Sequence, residues 1–284
     1  MIRLDAATVL LQWSVGGLFF LWVTTRRRQI GVGYGWLLRG VYLVLAVGAV
    51  AAGRAVSPDT GRDLLAAGVA AAAGGALLVS IVRRKAGVAG ERDREERRSA
   101  RVAAMTGIDR DVKILDRGGP EFPPRLDLLA PAIGVVALVV AAVADGGPAG
   151  LAIARTLVGA AFLGAVTDAM LLGHWYLVQP GLGRGLLNEL VKIVAWIWPF
   201  EVAVMLWPRG MVQVLDGQIS DSYGGILGWF WLACALTTIV LCVVTRAALK
   251  ERYYSAVMAA TGLLYLAILT GFGTDLVARA ILGQ

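Results

Sequence analysis

The sequence predicts an all-α protein, a polytopic membrane bundle of about eight transmembrane helices with both termini outside. The mean hydropathy is +0.70, and 58% of the 284 residues are hydrophobic, more than in an ordinary soluble domain. The apolar residues are gathered in runs of roughly 20, the helical length that crosses a hydrocarbon core ~30 Å thick. Lys and Arg are concentrated in every second connection between these runs.

Windows of about 19 residues place the spans along the chain. The first three belong to an N-terminal membrane segment, residues 1–82. The last five belong to a C-terminal membrane segment, residues 126–284, which holds most of the buried polar residues. The predicted spans are 6–24, 33–53, 64–82, 126–143, 151–178, 186–207, 223–245 and 254–281.

The charge of the short connections predicts the orientation, because Lys and Arg are retained on the cytoplasmic side of a membrane. The odd-numbered connections carry the bases: Arg26, Arg27 and Arg28, then Arg83, Arg84 and Lys85, then Arg184, and finally Arg246, Lys250 and Arg252. We therefore expect these connections to be cytoplasmic, in a plasma or inner membrane. The same pattern accounts for the net charge of +7, so we expect the lipid bilayer as a partner and no nucleic acid.

Residues 83–125 form the one long connection and are predicted to be a basic cytoplasmic linker. Residues 91–98 mix both signs of charge densely, which predicts a solvated helix. Residues 118–124 then contain Gly and Pro that end regular structure before the chain returns to the membrane. Two interpretations stay open: a tether held to anionic lipid, or a docking site for a cytoplasmic partner. Other membrane or redox subunits are further candidate partners of the chain.

The fifth span carries the most unusual polar residues, Asp168 and His174, the latter being the only histidine. An Asp at the centre of a membrane helix costs about 2.5–3.5 kcal/mol, so it persists only if it is paired, hydrated or functional. A His titrates near working pH and can handle protons or polarise a ligand. We predict a proton or quinone site formed by Asp168, His174, Trp175, Tyr176 and Arg39. The alternative is an interfacial belt in which His174 and its aromatic neighbours anchor the helix end.

A second predicted cluster lies toward the outside and consists of Arg155, Glu201 and Asp275. Glu201 follows Pro199, which kinks the sixth span and frees a backbone carbonyl upstream. Asp275 follows a glycine-rich stretch of the eighth span. We expect the two acids to form a pair that is balanced by Arg155.

Cofactor signals are few. The sequence has no Cys/His metal spacing, no Walker loop and no HExxH, so we expect no metal site. One histidine cannot supply both ligands of a bis-His haem, which argues against haem. A quinone is the cofactor that the residue types of the fifth span allow.

Three functions follow as hypotheses. The first is a membrane subunit of a redox system, such as a respiratory chain, that binds a quinone or conducts protons through the buried Asp/His site. The second is a proton-coupled carrier or channel for a small solute, with Asp168, Glu201 and Asp275 as titrating groups. The third is a structural or assembly subunit of a membrane complex. We do not expect the chain to be catalytic on its own.

Overall fold

The computed structural model describes residues 4–106, 119–144, 148–179, 181–221 and 223–283. These residues form ten α-helices and two short 3-10 helices, with no strand among them. The α-helices are α1 (Ala6–Thr25), α2 (Val32–Val56), α3 (Thr60–Val82), α4 (Ala89–Thr106), α5 (Leu129–Ala144), α6 (Ala149–Val178), α7 (Gly185–Leu206), α8 (Gly210–Leu215), α9 (Ile226–Ala248) and α10 (Tyr254–Leu282). The 3-10 helices are Arg83–Ala86 and Pro124–Leu128.

Each of the eight predicted spans coincides with one long helix, and the ends agree within four residues. In the described part of the chain, seven helices are long and apolar enough to cross a membrane: α1, α2, α3, α5, α6, α9 and α10. Helix α7 has 22 residues but carries Glu189, Lys192 and Glu201 within them. The all-helical class and the multi-pass membrane character are therefore confirmed, with seven of the eight spans having the composition of a transmembrane helix.

The connections between the long helices gather at two ends of the bundle. We call one the basic end: it holds the connections α1–α2, α3–α5, α6–α7 and α9–α10. There Arg184 donates to the carbonyls of Arg252 and Tyr253, each at 2.9 Å, and Arg26 pairs with Glu189 at 2.6 Å. We call the opposite end the cavity end: it holds the start of α1, the end of α10 and the connections α2–α3, α5–α6 and α7–α9.

Helix α6 lies at the centre of the bundle, packed against α1, α5, α7 and α10. Its closest approach is to α1, where a Cβ added to Gly164 would overlap the backbone of Gly16. Small residues allow such close contact between helices in lipid, where apolar collapse gives no net attraction. Helices from both predicted membrane segments, 1–82 and 126–284, contribute to one hydrophobic core.

The predicted helix at residues 91–98 is confirmed, because it lies within α4. Glu121 fastens the described parts of the linker to the basic end. Its carboxylate accepts a hydrogen bond from Arg28 at 3.1 Å and another from Arg92, and its carbonyl accepts one from Arg83 at 3.1 Å. These contacts hold the described parts of the linker against the bundle, and the lipid tether and the docking site both stay predictions. Residues 107–118 of the predicted linker lie outside the described residues.

Candidate functional site

Asp168 is fully buried on α6, one helical turn beyond Gly164. Tyr42 of α2 donates its hydroxyl hydrogen bond to Asp168 Oδ1. The Tyr42 ring lies against Gly17 of α1, so closely that a Cβ at Gly17 would overlap it. Glycine at this position of α1 thus gives a side chain from α2 access to the carboxyl group on α6.

The second oxygen of Asp168, Oδ2, is also buried and has no hydrogen-bond partner among the described residues. Among the described residues, no Lys, Arg or His side chain forms an ion pair with the carboxyl group of Asp168. Tyr34 lies close enough for its hydroxyl to interact electrostatically with Asp168. A buried carboxyl group with one free oxygen and no counter-charge is stabilised when it binds a proton.

Polar side chains continue from Asp168 toward the basic end. Tyr34 meets Trp175 edge to face, with ring centroids 5.7 Å apart. Trp175 Nε1 donates to Gln179 Oε1 at 2.8 Å, and the Tyr176 hydroxyl donates to the carbonyl of Gly183 at 2.6 Å. Trp175 and Tyr176 therefore hold the end of α6 through hydrogen bonds to Gln179 and Gly183.

His174 lies elsewhere, exposed on the surface of α6. Its Nδ1 is 3.2 Å from the hydroxyl of Tyr265 on α10, whose side chain is 43% exposed. Six positions along a helix turn His174 about 120° away from Asp168, and in this bundle that rotation carries it out of the interior. The structure does not bring His174 together with Asp168.

Arg39 belongs to a cluster of its own. Its Nε and Nη2 donate to the two carboxylate oxygens of Asp127, each at 2.7 Å, and its Nη1 donates to Ser80 at 3.2 Å. The guanidinium carbon lies 4.2 Å from the centre of the Phe122 ring. Arg39 and Asp127 are both buried. The pair joins α2 to the chain that enters α5, and Arg39 makes no hydrogen bond to another predicted site residue.

The predicted outer cluster lies near the cavity end. Asp275 and Glu201 are fully buried, and their carboxyl groups are neighbours. Arg279, one turn along α10, donates from Nε to both oxygens of Asp275 at 2.8 Å. Neither oxygen of Glu201 has a hydrogen-bond partner among the described residues. The guanidinium that balances Asp275 is thus that of Arg279, not that of Arg155.

Arg155 binds backbone rather than carboxylates. Its Nε donates to the carbonyl of Val204 at 2.9 Å, and its Nη2 donates to the carbonyl of Trp207 at 2.7 Å. Its own carbonyl accepts a hydrogen bond from Arg279 Nη2 at 2.5 Å. Arg155 therefore links α6 to the end of α7 and to α10.

A cavity of about 860 Å³ lies at the cavity end, beside these two arginines. The ends of α1, α2, α3, α5, α6, α7 and α10 bound it. This volume is within the usual range for small-molecule sites. The charged side chains that line it are Asp5, Asp59, Arg62, Arg155 and Arg279.

Asp5 and Arg62 hold the rim of this cavity on the α1 side. Asp5 accepts hydrogen bonds from Ser57 Oγ and from Arg62 Nη1, both at 2.6 Å, and Arg62 also pairs with Asp63 at 3.0 Å. Burial opposes the charge of Asp5, but the hydrogen bonds from Ser57 and Thr8 and the charge of Arg62 outweigh it. The pKa of Asp5 is therefore lowered.

A layer of packed, buried side chains separates the cavity from Asp168. Gly159 of α6 lies directly against Asp275 and Arg279. Asp168 is nine residues further along the same helix, about 14 Å at 1.5 Å per residue. The side chains between them with no exposed surface include Phe162, Leu163 and Val166. Asp168 thus lies on one side of a packed layer and the Asp275–Glu201 pair on the other; the layer is mainly apolar but includes Gln12 and Ser14 of α1.

Several residues of these clusters were not identified from the sequence. Asp127 is the second residue of the predicted fourth span; the signal that could have identified it is that a buried Arg39 needs a carboxylate partner. Tyr42 is a hydroxyl-bearing residue within the second span, and its partner on α6 is 126 positions away. Arg279 is four residues from Asp275, the spacing of a helical ion pair.

Within the described ranges, no three His, Cys, Asp or Glu side chains come together to hold a metal ion. Comparisons with protein-family models, with curated proteins and with solved structures found no match to this chain.

Proposed function

We propose that this chain is a proton-coupled carrier for a small solute in a plasma or inner membrane. The observation that carries the proposal is the arrangement of the buried carboxyl groups. Glu201 lies one turn from Met205, which lines a cavity of about 860 Å³, and Asp168 lies beyond the packed layer. Each has at least one oxygen without a hydrogen-bond partner among the described residues. Such groups on both sides of a closed layer are suited to taking up protons from one side and releasing them to the other.

In this proposal α7 is the eighth crossing. Its first turns are joined to the basic end by the ion pair between Arg26 and Glu189. Its last turn reaches the cavity end, where Arg155 binds the carbonyl of Trp207. The concentration of bases supports a cytoplasmic basic end, a cytoplasmic linker at residues 83–125 and both termini outside. The cavity then opens to the outside.

The transport cycle requires that the packed layer open alternately to each side. The contact between Gly16 and Gly164 is where α1 and α6 approach most closely, and a small shift of one helix against the other would alter this layer. Asp168 lies one turn beyond that contact. Proton binding at Asp168 removes a buried charge, and it also changes the hydrogen bond from Tyr42, which couples protonation to the packing of α2 and α6.

The redox hypothesis draws less support from the geometry. A quinone site needs an apolar cavity with polar groups that converge on it. Neither the cavity of about 860 Å³ nor a smaller one of about 40 Å³ at the basic end is lined by Asp168 or His174. The quinone subunit and the assembly subunit stay predictions from the sequence.

The proposal is tested in liposomes that contain the purified protein and a trapped pH-sensitive dye. An inward pH gradient is imposed, and small carboxylates, phosphates, amines and sugars are added in turn. We expect one class of solute to produce a change in internal pH that is lost in Asp168→Asn. Glu251→Gln is the matched control, because this carboxyl group is exposed at the basic end.

Two results would contradict the proposal. One is a panel in which no solute moves protons with the wild-type protein. The other is a proton movement of equal size in the wild type and in Asp168→Asn, which would remove the buried carboxyl group from the transport step.

A further inference from the structure

We propose that the cavity binds a small oxyanion, a phosphate or carboxylate group, between the guanidinium groups of Arg155 and Arg279. Both side chains line the cavity, and Arg279 donates to the backbone carbonyl of Arg155 at 2.5 Å. The inference names the substrate class of the proposed carrier and in that sense rests on the proposed function.

Arg155 has N–H donors that make no hydrogen bond to another described residue. A guanidinium group has five N–H donors and no acceptor. The Nε donor and one Nη2 donor bind the carbonyls of Val204 and Trp207, so five minus two leaves three without a partner among the described residues. No carboxylate in that part of the chain pairs with Arg155. Its positive charge next to the cavity is therefore uncompensated.

Arg279 supplies a second guanidinium group at the same wall. Its Nε is used by Asp275 and one Nη2 donor by the carbonyl of Arg155, which again leaves three of five N–H donors. The two cations are close enough for their charges to repel. An anion between them would relieve that repulsion, and the planar fork of a guanidinium matches the paired oxygens of carboxylate and phosphate.

The other charges of the lining are already engaged. Arg62 is matched by the carboxylates of Asp5 and Asp63. Asp59 accepts a hydrogen bond from the backbone N–H of Arg62 at 2.9 Å and caps α3. These acids keep the α3 side of the cavity polar and negative, while the α6 and α10 side offers the free donors. The division favours a small anion that is held at one wall over a polyanion that would fill the cavity.

Binding is measured by calorimetry on the detergent-solubilised full chain, with inorganic phosphate, sulfate and succinate as probes. We expect at least one of them to bind the wild type and to bind Arg155→Gln about tenfold or more weakly, the loss expected for hydrogen bonds to a charged group. Arg155→Lys keeps the charge but lacks the fork, and we expect it to be intermediate. Arg209→Gln is the control, because Arg209 is exposed near the cavity end and does not line the cavity.

A second variant distinguishes a loss of oxyanion binding from a folding defect in Arg155→Gln. Ala152 lines the cavity three residues before Arg155 on α6, so Ala152→Glu places a carboxylate within reach of the guanidinium group. We expect Ala152→Glu to keep the thermal unfolding temperature and to lose oxyanion binding. Oxyanion affinities that are unchanged in both variants, or the absence of binding to all three probes in the wild type, would overturn the inference.

The experiments can overturn the oxyanion site and the proton-coupled carrier independently of each other. Oxyanion binding that depends on Arg155, without proton movement in liposomes, would uphold the site and overturn the carrier. Proton movement that depends on Asp168, without oxyanion binding that depends on Arg155, would overturn the site and uphold the carrier.

Discussion

At the basic end, the guanidinium group of Arg39 meets both oxygens of Asp127 and lies against the ring of Phe122. The cavity next to it measures only about 40 Å³. At the cavity end, Arg155 binds two backbone carbonyls and lines a cavity of about 860 Å³. The residue type is the same, but one charge is matched and enclosed, while the other is unmatched and beside open space.

The contrast between Arg39 and Arg155 shows when a buried charge in a membrane bundle is structural and when it is available to a ligand. The charge of Arg39 is matched by both oxygens of Asp127, and the pair is buried beside a cavity of only about 40 Å³, so it acts on the structure. Arg155 retains donors next to space that a solute can enter, so it is available for binding. We therefore expect substitutions at the basic end to change stability, and substitutions at the cavity wall to change binding with a smaller effect on stability.

The largest effect is expected for Arg39→Ala. Removing one partner of a buried ion pair leaves the other charge without compensation, at a cost of about 3–5 kcal/mol. The free energy of unfolding, measured in detergent or in bilayers, should fall by this amount. Arg155→Gln should cost less, about 0.5–1.5 kcal/mol for each hydrogen bond to the carbonyls of Val204 and Trp207 that is lost, because no buried carboxylate is left without its partner.

Replacing both members of the pair sharpens this test. Arg39→Met combined with Asp127→Leu removes both charges and leaves apolar side chains of similar length. We expect the double variant to recover most of the stability that Arg39→Ala loses. A double variant as unstable as the single one would mean that Ser80 or Phe122, rather than the ion pair, accounts for the effect.

Gly164→Ala should have the next largest effect. The added methyl group would overlap the backbone of Gly16, and overpacking of this kind costs about 1–3 kcal/mol. Gly262→Ala on α10 is the matched control, since a Cβ there meets nothing within 4 Å and alanine favours a helix over glycine. Thermal unfolding of both variants tests this. Equal destabilisation would show that the loss of stability does not come from the close contact between α1 and α6.

Tyr42→Phe removes the hydroxyl group that binds Asp168 and leaves the ring in place. Hydrogen bonds between membrane helices contribute about 0.6 kcal/mol on average and up to about 1.7. We expect a loss of stability near the upper value, because Asp168 would then have no hydrogen-bond donor among the described residues. Tyr265→Phe at the exposed His174 pair should lose less, and unfolding measured on both variants compares the interior with the surface.

The sequence predicted the helices far better than their contacts. Span length and composition alone place each long helix within four residues, because the thickness of the membrane and the polarity of the loops act on every position of a span. The pairing of Arg39 with Asp127 depends instead on how two distant helices are rotated against each other. No local pattern of residues carries that information.

The rotation of the helices also explains why the residues of the predicted proton or quinone site do not all lie together. Asp168 and Trp175 lie on the interior side of α6, while His174 is turned outward by a rotation of the helix that the sequence leaves undetermined. Glu201 and Asp275 were predicted to be neighbours and are, since both lie toward the cavity ends of their spans. The use of Arg279 instead of Arg155 follows from side-chain reach along α10, which only the packed bundle fixes.

Asp5→Asn should have the smallest effect and is the one that depends on pH. The carboxylate of Asp5 binds Ser57 and Arg62 and caps α1, and we expect its replacement to cost up to about 1 kcal/mol at pH 7. The folded protein lowers the pKa of Asp5, while the unfolded chain has a value of about 3.9. The stabilisation is therefore complete above about pH 4 and is lost as the pH falls through the lowered folded value. Thermal unfolding of wild type and variant should differ at pH 7 and at pH 5 and should converge only as the pH falls below the lowered pKa of Asp5. Asp216→Asn, at an exposed acid near the cavity end, should match the wild type throughout. A difference that persists unchanged at low pH would mean that the shape of the side chain, and not its charge, holds the rim of the cavity.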